Sequence, residues 1–489
     1  MVPQLETAPP ARARGRALVY RIAIAAGLTA FFLLLSWDTL RAPFAADEMM
    51  AIHWYWRPSP WRLLVSQFML WVGYVRPFGA IFYLPPFLAF GLNPVPYHAY
   101  LLALLLAGAD QMRRLARALG ASELAAVLVA LLACYHGGLA NLYFNSVFVF
   151  DVMCAIFYFS ALAYYARIRR AGRILTGRET TIFTLLYLCA LNSKEMAMTM
   201  PVVLLAYEWL FHGRPPLAPR PLIAWLRGPG RAICFAGFLN VLSLWGKMFG
   251  RFGLMKNAEY RPVYSWARFL DFQERQAGDL FYHVPRLDWP MTLVVWLAVT
   301  YFAWRKRDPL LRFCWWFIVI TPLPMEFLIG RDQACLYVCL AGWAILAARL
   351  FESFLPGAVR VLAAERLFGW LGPQRLRALL VSGVCVAYGA FAWSYKQSEI
   401  APAISSLSPV TNAVVAEFRS SKPQVPSGST VVFLDDPFAG FDMAFIADLS
   451  FRDRSTTVRL HQKTPQTPEE IASAGAVFTW RNERLVRVR

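Results

Sequence analysis

Two adjacent carboxylates, Asp47 and Glu48, follow the first long apolar run of the chain. They precede a stretch dense in rings and bases, His53-Trp54-Tyr55-Trp56-Arg57-Pro58-Ser59-Pro60-Trp61-Arg62. Aromatic side chains collect at headgroup depth in a membrane, so an acid in this setting is placed to work as a general base on an amphiphilic substrate. The plain alternative is a pair that only solvates a loop. Lys194-Glu195 and Arg331-Asp332 are two further charge pairs at the ends of apolar runs. A lysine point charge and an arginine fork both suit phosphate oxygens; alternatively, each cation simply pairs with its neighbour. Asp151 stands near the end of another apolar run, where an unpaired carboxylate is costly, and Arg251 opens a polar loop.

What must position these groups is mostly membrane-embedded chain. Of 489 residues, 58% are hydrophobic and 16% charged, and the mean hydropathy is +0.43, which indicates a polytopic helical membrane protein. The net charge of +19 does not point to nucleic acid, because the arginines cluster at the ends of apolar runs, as the positive-inside rule requires. Six of the eight cysteines lie within apolar segments, and Cys335 and Cys339 are i,i+4 neighbours in another, so all read as small packing side chains rather than redox or zinc ligands. The histidines outside the 250–288 loop are scattered without metal spacing.

Charge bookkeeping orients the runs. Arg12, Arg14, Arg16 and Arg21 precede the run 22–37, which sets the amino terminus inside and Asp47-Glu48 outside. Residues 76–87 are apolar but carry Pro85-Pro86, and read as interfacial or re-entrant. Spans follow at 97–109, 124–142 and 147–165, then from 181, at 197–211 and 232–248, with an eighth returning to Arg305-Lys306-Arg307, a ninth ending at Met325-Glu326, a tenth, and an eleventh at 378–393. About eleven spans then bring Asp47, Glu48, Asp151, Lys194, Glu195, Arg251, Arg331 and Asp332 to one side. The polar loop 250–288 contains a stretch, 264–281, that reads as an amphipathic helix at the membrane surface. A transmembrane unit, 1–395, is expected to be followed by a small external α/β domain, 396–489, with strands near 430–434, 457–460, 476–480 and 485–488 and a helix near 441–449. Asp435-Asp436 at a strand end reads as a turn initiator rather than a metal site.

Four segments together resemble the GT-C glycosyltransferases, the integral membrane enzymes that take sugars from polyprenyl-phosphate donors. Asp47-Glu48 resembles the acidic motif in the first external loop of protein O-mannosyltransferases and lipid A aminoarabinose transferases. Val149-Phe150-Asp151-Val152-Met153 resembles an Arg-Ala-Asp-Leu-Leu kind of motif in the transmembrane-and-TPR mannosyltransferases, without the basic residue. Asn192-Ser193-Lys194-Glu195-Met196-Ala197-Met198-Thr199 is similar to their Ser-Lys-Glu-x-x-x-Thr segment, and the run from Arg331 to Gly342 resembles their Glu-Arg-Tyr-Leu-Tyr-Leu-Pro-x-x-Gly run more loosely. The similarity covers roughly residues 20–395; no TPR repeats follow.

The resemblance implies a polyprenyl-phosphate sugar as donor and an acceptor hydroxyl on the extracytoplasmic face. Asp47 is expected to be the base, Glu48 to hold Asp47 or the acceptor, and Lys194 and Arg331 to meet the departing phosphate, with Asp151, Glu195 and Arg251 as further substrate-binding candidates. No cofactor or metal ligand set is assigned; whether a divalent cation assists is left open, as are the sugar and the acceptor, be it glycan, lipid or protein. Composition and compact loops suggest a bacterial inner membrane with the site facing the periplasm. The rival readings are a lipid-linked oligosaccharide ligase or polymerase, and a transporter or flippase, which should show repeats or broken helices with ionisable groups at mid-bilayer.

Overall fold

The computed structural model describes residues 11–283, 288–330, 333–364 and 370–489. The chain is mostly helical. Helix α1 (Ala11–Ser36) leads into α2 (Ala46–Trp56), then α3 (Pro60–Ser66) and α4 (Ala80–Phe90). At 11 residues α4 rises only about 16 Å, too short to cross a hydrocarbon core, and it carries Pro85 and Pro86 inside it. Asn93 accepts from the Val95 amide and Pro94 fills the first turn to start α5 (Pro94–Leu119), which Gly120 ends at φ +103°. Ser122 caps α6 (Glu123–Cys134). A short α7 (Asn141–Phe144) precedes α8 (Val149–Arg170). Thr176 and Glu179 form a capping box for α9 (Gly177–Ser193). Next come α10 (Met200–His212), α11 (Pro219–Arg227) and α12 (Arg231–Phe249). Ser265, Asp288 and Asp308 cap α13 (Trp266–Leu280), α14 (Trp289–Arg305) and α15 (Pro309–Ile320). A short α16 (Leu323–Glu326) precedes α17 (Tyr337–Ala364) and α18 (Pro373–Tyr395).

Five segments among the described residues are long and apolar enough to cross a membrane: Ile22–Arg41, Ser146–Arg170, Arg231–Lys256, Gln333–Ala364 and Pro373–Ser405. The other apolar runs form helices that are shorter or less uniformly apolar. The run 124–142 shows why: it is helical only to Cys134, because the chain turns extended at Tyr135 and enters a 3-10 turn at Gly137–Leu139. Helices α8 and α17 lie mostly inside the protein, whereas α18 faces outward along most of its length. The central column α8 is packed by fully buried tyrosines, among them Tyr158, Tyr187, Tyr207 and Tyr337.

Helix α18 runs on through a π-helical turn, Lys396–Ile400, into α19 (Ala401–Ser405), so no break falls at residue 395. After α20 (Pro409–Ser421) come β1 (Thr430–Phe433), α21 (Asp442–Phe451), β2 (Thr457–Leu460), α22 (Pro468–Ala472), β3 (Ala476–Arg481) and β4 (Arg484–Arg487). The sheet order is β2-β1-β3-β4; β1 is parallel to β2 and β3, and β4 closes antiparallel on β3. Asp436 accepts from the Phe438 amide, which is turn chemistry, and Asp435 accepts from the Thr479 hydroxyl on the neighbouring strand β3. The sheet region docks through α21 onto α2: Asp448 takes His53 Nε2 at 2.9 Å and Arg57 at 3.3 Å. Arg452 donates to the Phe87 carbonyl at 3.1 Å, and Asn412 brackets Phe44 by accepting its amide and donating to its carbonyl. One apolar core accordingly runs from the helices into the sheet, including Phe418, Val431 and Phe433.

Candidate functional site

A cavity of about 830 Å³ opens beside α2. Helix α2 presents two faces at helical spacing. Asp47, Met50, Ala51, Trp54 and Tyr55 line the cavity, while Glu48, Met49, Ile52 and Trp56 point into the protein and are buried. The adjacent carboxylates therefore part company: a helix turns about 100° per residue, which leaves Asp47 exposed at the cavity wall and Glu48 fully buried behind it.

Glu48 is occupied by backbone. One oxygen accepts from the Ala45 amide at 2.5 Å and the other from the Ser146 amide at 2.9 Å, tying the start of α2 to the entry of α8. Tyr83 donates to the Ser146 carbonyl beside it. Glu48 thus does not reach the cavity, and the expectation that it holds the acceptor gives way to a helix-anchoring role. Burial pushes its carboxyl up to about 7 from the usual 4.5, the Ser146 side chain and the Ala45 and Ser146 amides opposing. The folded protein then retains a proton that the unfolded chain releases between those two values, so this group's contribution makes stability fall as pH rises from about 4.5 to about 7, by at most ~3 kcal/mol, and leaves it level outside that window. We expect Glu48→Gln to abolish that slope in thermal melts at pH 4.5–7, while adding a pH-independent loss of about 1–3 kcal/mol because a carboxamide offers only one acceptor oxygen to two amides.

Across the cavity, Lys194 and Arg76 supply positive charge. Lys194 is buried and pairs with Asp151 at 2.6 Å, with Cys335 Sγ at 3.6 Å. Burial works most strongly against its charge, but Asp151 and Cys335 together offset it and hold the ammonium above its ordinary pKa. Asp151 is therefore not an unpaired carboxylate; its second oxygen is buried without a hydrogen bond among the described residues. Lys194 does not pair with its neighbour. The extended backbone at Lys194 (φ −156°, ψ 153°) turns the two side chains apart, and Glu195 instead takes Arg76 at 3.2 Å and Lys247 at 3.2 Å. Burial alone would raise the Glu195 carboxyl; Arg76, Lys247 and Lys194 together hold it well below the usual range.

Arg76 was not among the residues expected from the sequence. It adopts φ +46°, in the left-handed region, a conformation costly for any residue with a Cβ and retained where surroundings enforce it. Here the Tyr55 hydroxyl donates to its carbonyl at 2.7 Å, the guanidinium lies 5.2 Å over the Phe150 ring, and one Nη donates to the Tyr260 hydroxyl at 3.4 Å. The preceding loop rests directly on α12. A side chain at Gly246 would collide with the Leu70 carbonyl, and Gly73 at φ +79° would meet Gly246 in return.

The roof comes from the 250–288 loop, through Phe252, Lys256, Asn257 and Tyr260. Helix α13 buries Phe272, Gln276 and Asp279 and leaves Trp266 exposed. Arg251 is not brought to the cavity. It lies with Arg62, Trp71 and Tyr74 in a separate groove, its guanidinium 5.5 Å from the Phe252 ring, which stands between the two spaces. Arg331 and Asp332 lie outside the described residues. A second group missed in the sequence is Asp442, in the first turn of α21 beside Asp47; burial raises its carboxyl, and Asp47 and Asp436 add to the effect. Only the packing of α21 on α2 reveals it. Among the described residues no three histidine, cysteine or acidic side chains converge as a metal set would require.

No family model matches the sequence, and no curated protein matches it. Among solved structures the chain is similar to the archaeal oligosaccharyltransferase AglB from Archaeoglobus fulgidus, solved in complex with an inhibitory peptide and a dolichol-phosphate. The identity is 10% and the TM-score 0.49, over 90% of this chain and 64% of that one. The chain thus spans less than two thirds of that protein's length.

Proposed function

We propose that the protein transfers a sugar from a polyprenyl-phosphate donor to an acceptor hydroxyl at the extracytoplasmic face of the membrane. The observation that carries this reading is a cavity in which an exposed carboxylate, Asp47, stands with the cations Lys194 and Arg76, in a lining that also holds Lys256 and Glu259. Asp47 accepts the acceptor's proton as its oxygen bonds to the anomeric carbon. The bond from that carbon to the phosphate oxygen breaks, and the electron pair leaves with the phosphate. Negative charge grows there in the transition state, and preorganised cations lower its energy. Lys194 is held by Asp151 and Arg76 by Glu195, so both cations are fixed before the donor arrives. Asp151 and Glu195 are in this scheme positioning residues, and Arg76 is added to Lys194 and Arg331 as a phosphate-facing cation.

The test is made in cells carrying the intact gene, a deletion, or Asp47→Asn, with lipid-linked intermediates and surface glycans read by mass spectrometry. Both defective strains should accumulate one polyprenyl-phosphate monosaccharide and lack a single sugar on one glycan, which names donor and acceptor together. Loss of a whole oligosaccharide in one step would favour the ligase reading. Identical profiles in all three strains would remove the transferase reading.

A further inference from the structure

At the end of α8 opposite Asp151 lies a second cavity, of about 590 Å³, between α1, α5, α6 and α8. Arg167 is sixteen residues from Asp151, which sets the two sites roughly 24 Å apart along the helix. Five guanidinium groups rim this cleft, Arg113, Arg114 and Arg117 from α5 and Arg167 and Arg170 from α8, against two carboxylates, Asp110 and Glu123. We infer that the cleft binds the phosphate headgroup of an anionic glycerophospholipid from the leaflet opposite the proposed sugar-transfer site, with an acyl chain running up under α1.

The rim is built rather than merely basic. Asp110 holds Arg113 at 2.9 Å and Arg114 at 2.5 Å, and Glu123 holds Arg117 at 3.2 Å. Arg170 donates to the carbonyls of Arg117 and Ala118 and so fixes the end of α5. Arg167 has only its own helix, through Nε to the Ala163 carbonyl at 3.2 Å, and no carboxylate partner among the described residues. Charges that serve topology alone need no cavity. Arg169 illustrates that case: it points elsewhere and is satisfied by Glu208 at 2.7 Å.

The cleft continues from the rim into an apolar throat walled by Ile24, Leu28, Leu106 and Ala130 and reaching Cys134, whose thiol donates to the Leu28 carbonyl at 3.5 Å. From Glu123 at the rim to Cys134 the helix rises roughly 16 Å, about the reach of a dozen methylenes. Excess positive charge at a headgroup-depth opening joined to an apolar slot matches a phosphodiester carrying acyl chains, and basic pockets between helices on the inner side of a membrane are suited to such lipids. A free phosphate would use the rim and leave the throat empty.

The test uses the full-length protein, delipidated in detergent and offered mixed micelles of phosphatidylglycerol, mixed micelles of phosphatidylcholine, or inorganic phosphate, with retained ligand counted by native mass spectrometry. Phosphatidylglycerol should be retained over phosphatidylcholine, and Arg114→Gln with Arg167→Gln should weaken its retention about 30-fold, at the usual worth of a basic residue near a lipid surface. Ala130→Leu, which fills the throat, should lower lipid retention without touching the rim. Equal retention of the two lipids, an unaffected double variant, or displacement of phosphatidylglycerol by millimolar inorganic phosphate would each overturn the assignment. Melting temperature in lipid-free detergent checks that the variants fold, and sugar transfer by the variants, which alter no residue of the upper cavity, keeps this result distinct from failure of the transferase reading.

Discussion

Asp47→Asn is expected to lower turnover by about 10²–10⁴-fold, the usual worth of a general base, while leaving the fold intact. The two parts of that expectation come from the same geometry. Asp47 is exposed on the cavity face of α2, so its removal leaves no buried group unsatisfied. Its stabilising effect as an acid in the first turn of a helix is about 0.3–1 kcal/mol. Asparagine keeps the shape and can still hydrogen-bond an acceptor hydroxyl, but it cannot take the proton. The loss should therefore appear in kcat with little change in KM for either substrate. The measurement is turnover of purified wild type and variant in lipid nanodiscs, with melting temperatures recorded on the same samples. Near-normal turnover would reduce Asp47 to a solvating residue. Asp442→Asn is the informative companion, because it changes a carboxyl beside Asp47 without removing the base. It should leave the plateau rate within a few-fold, where Asp47→Asn does not.

How far the sequence carried can be argued from these residues. Asp47, Asp151 and Lys194 were brought to one region by charge bookkeeping along apolar runs, and the strands and the α21 helix follow from alternation and turn residues. The partners were not legible. Lys194 and Glu195 are adjacent, yet an extended backbone turns them apart, to Asp151 and to Arg76 with Lys247. Arg76 reads as a basic residue before a proline; only a left-handed backbone and contacts with residues far along the chain aim it at the cavity. Asp47 is ranked over Glu48 as base from the sequence, but what parts the two is the helix face, and that is fixed by the Ser146 amide, 98 residues away. The count of about eleven spans is not settled by the sequence for a similar reason. An apolar run of fifteen residues satisfies a bilayer or a protein core equally well, and only length, breaks and neighbours separate the two.

The Lys194–Asp151 pair is where structure and chemistry can be taken apart. Both side chains are buried and 2.6 Å apart, so removing either strands the other charge. Lys194→Met alone should cost about 3–5 kcal/mol of stability. An activity loss in that variant says little, since a destabilised protein loses activity whatever the role of the lysine. In the double variant Lys194→Met, Asp151→Leu no charge is stranded, and buried pairs replaced by apolar groups of similar volume are often neutral or better in stability. Its melting temperature should return to within a few degrees of wild type. If Lys194 meets the donor phosphate, activity stays low in the double variant, by about 10²-fold or more in kcat, because a cation aimed at developing charge is gone. If the pair only fastens α8 to the turn after α9, stability and turnover recover together. Thermal melts and single-turnover transfer on wild type, both single variants and the double variant complete the cycle, and stability that recovers in the double variant while turnover stays at the Lys194→Met level is the signature of a lysine that acts on substrate.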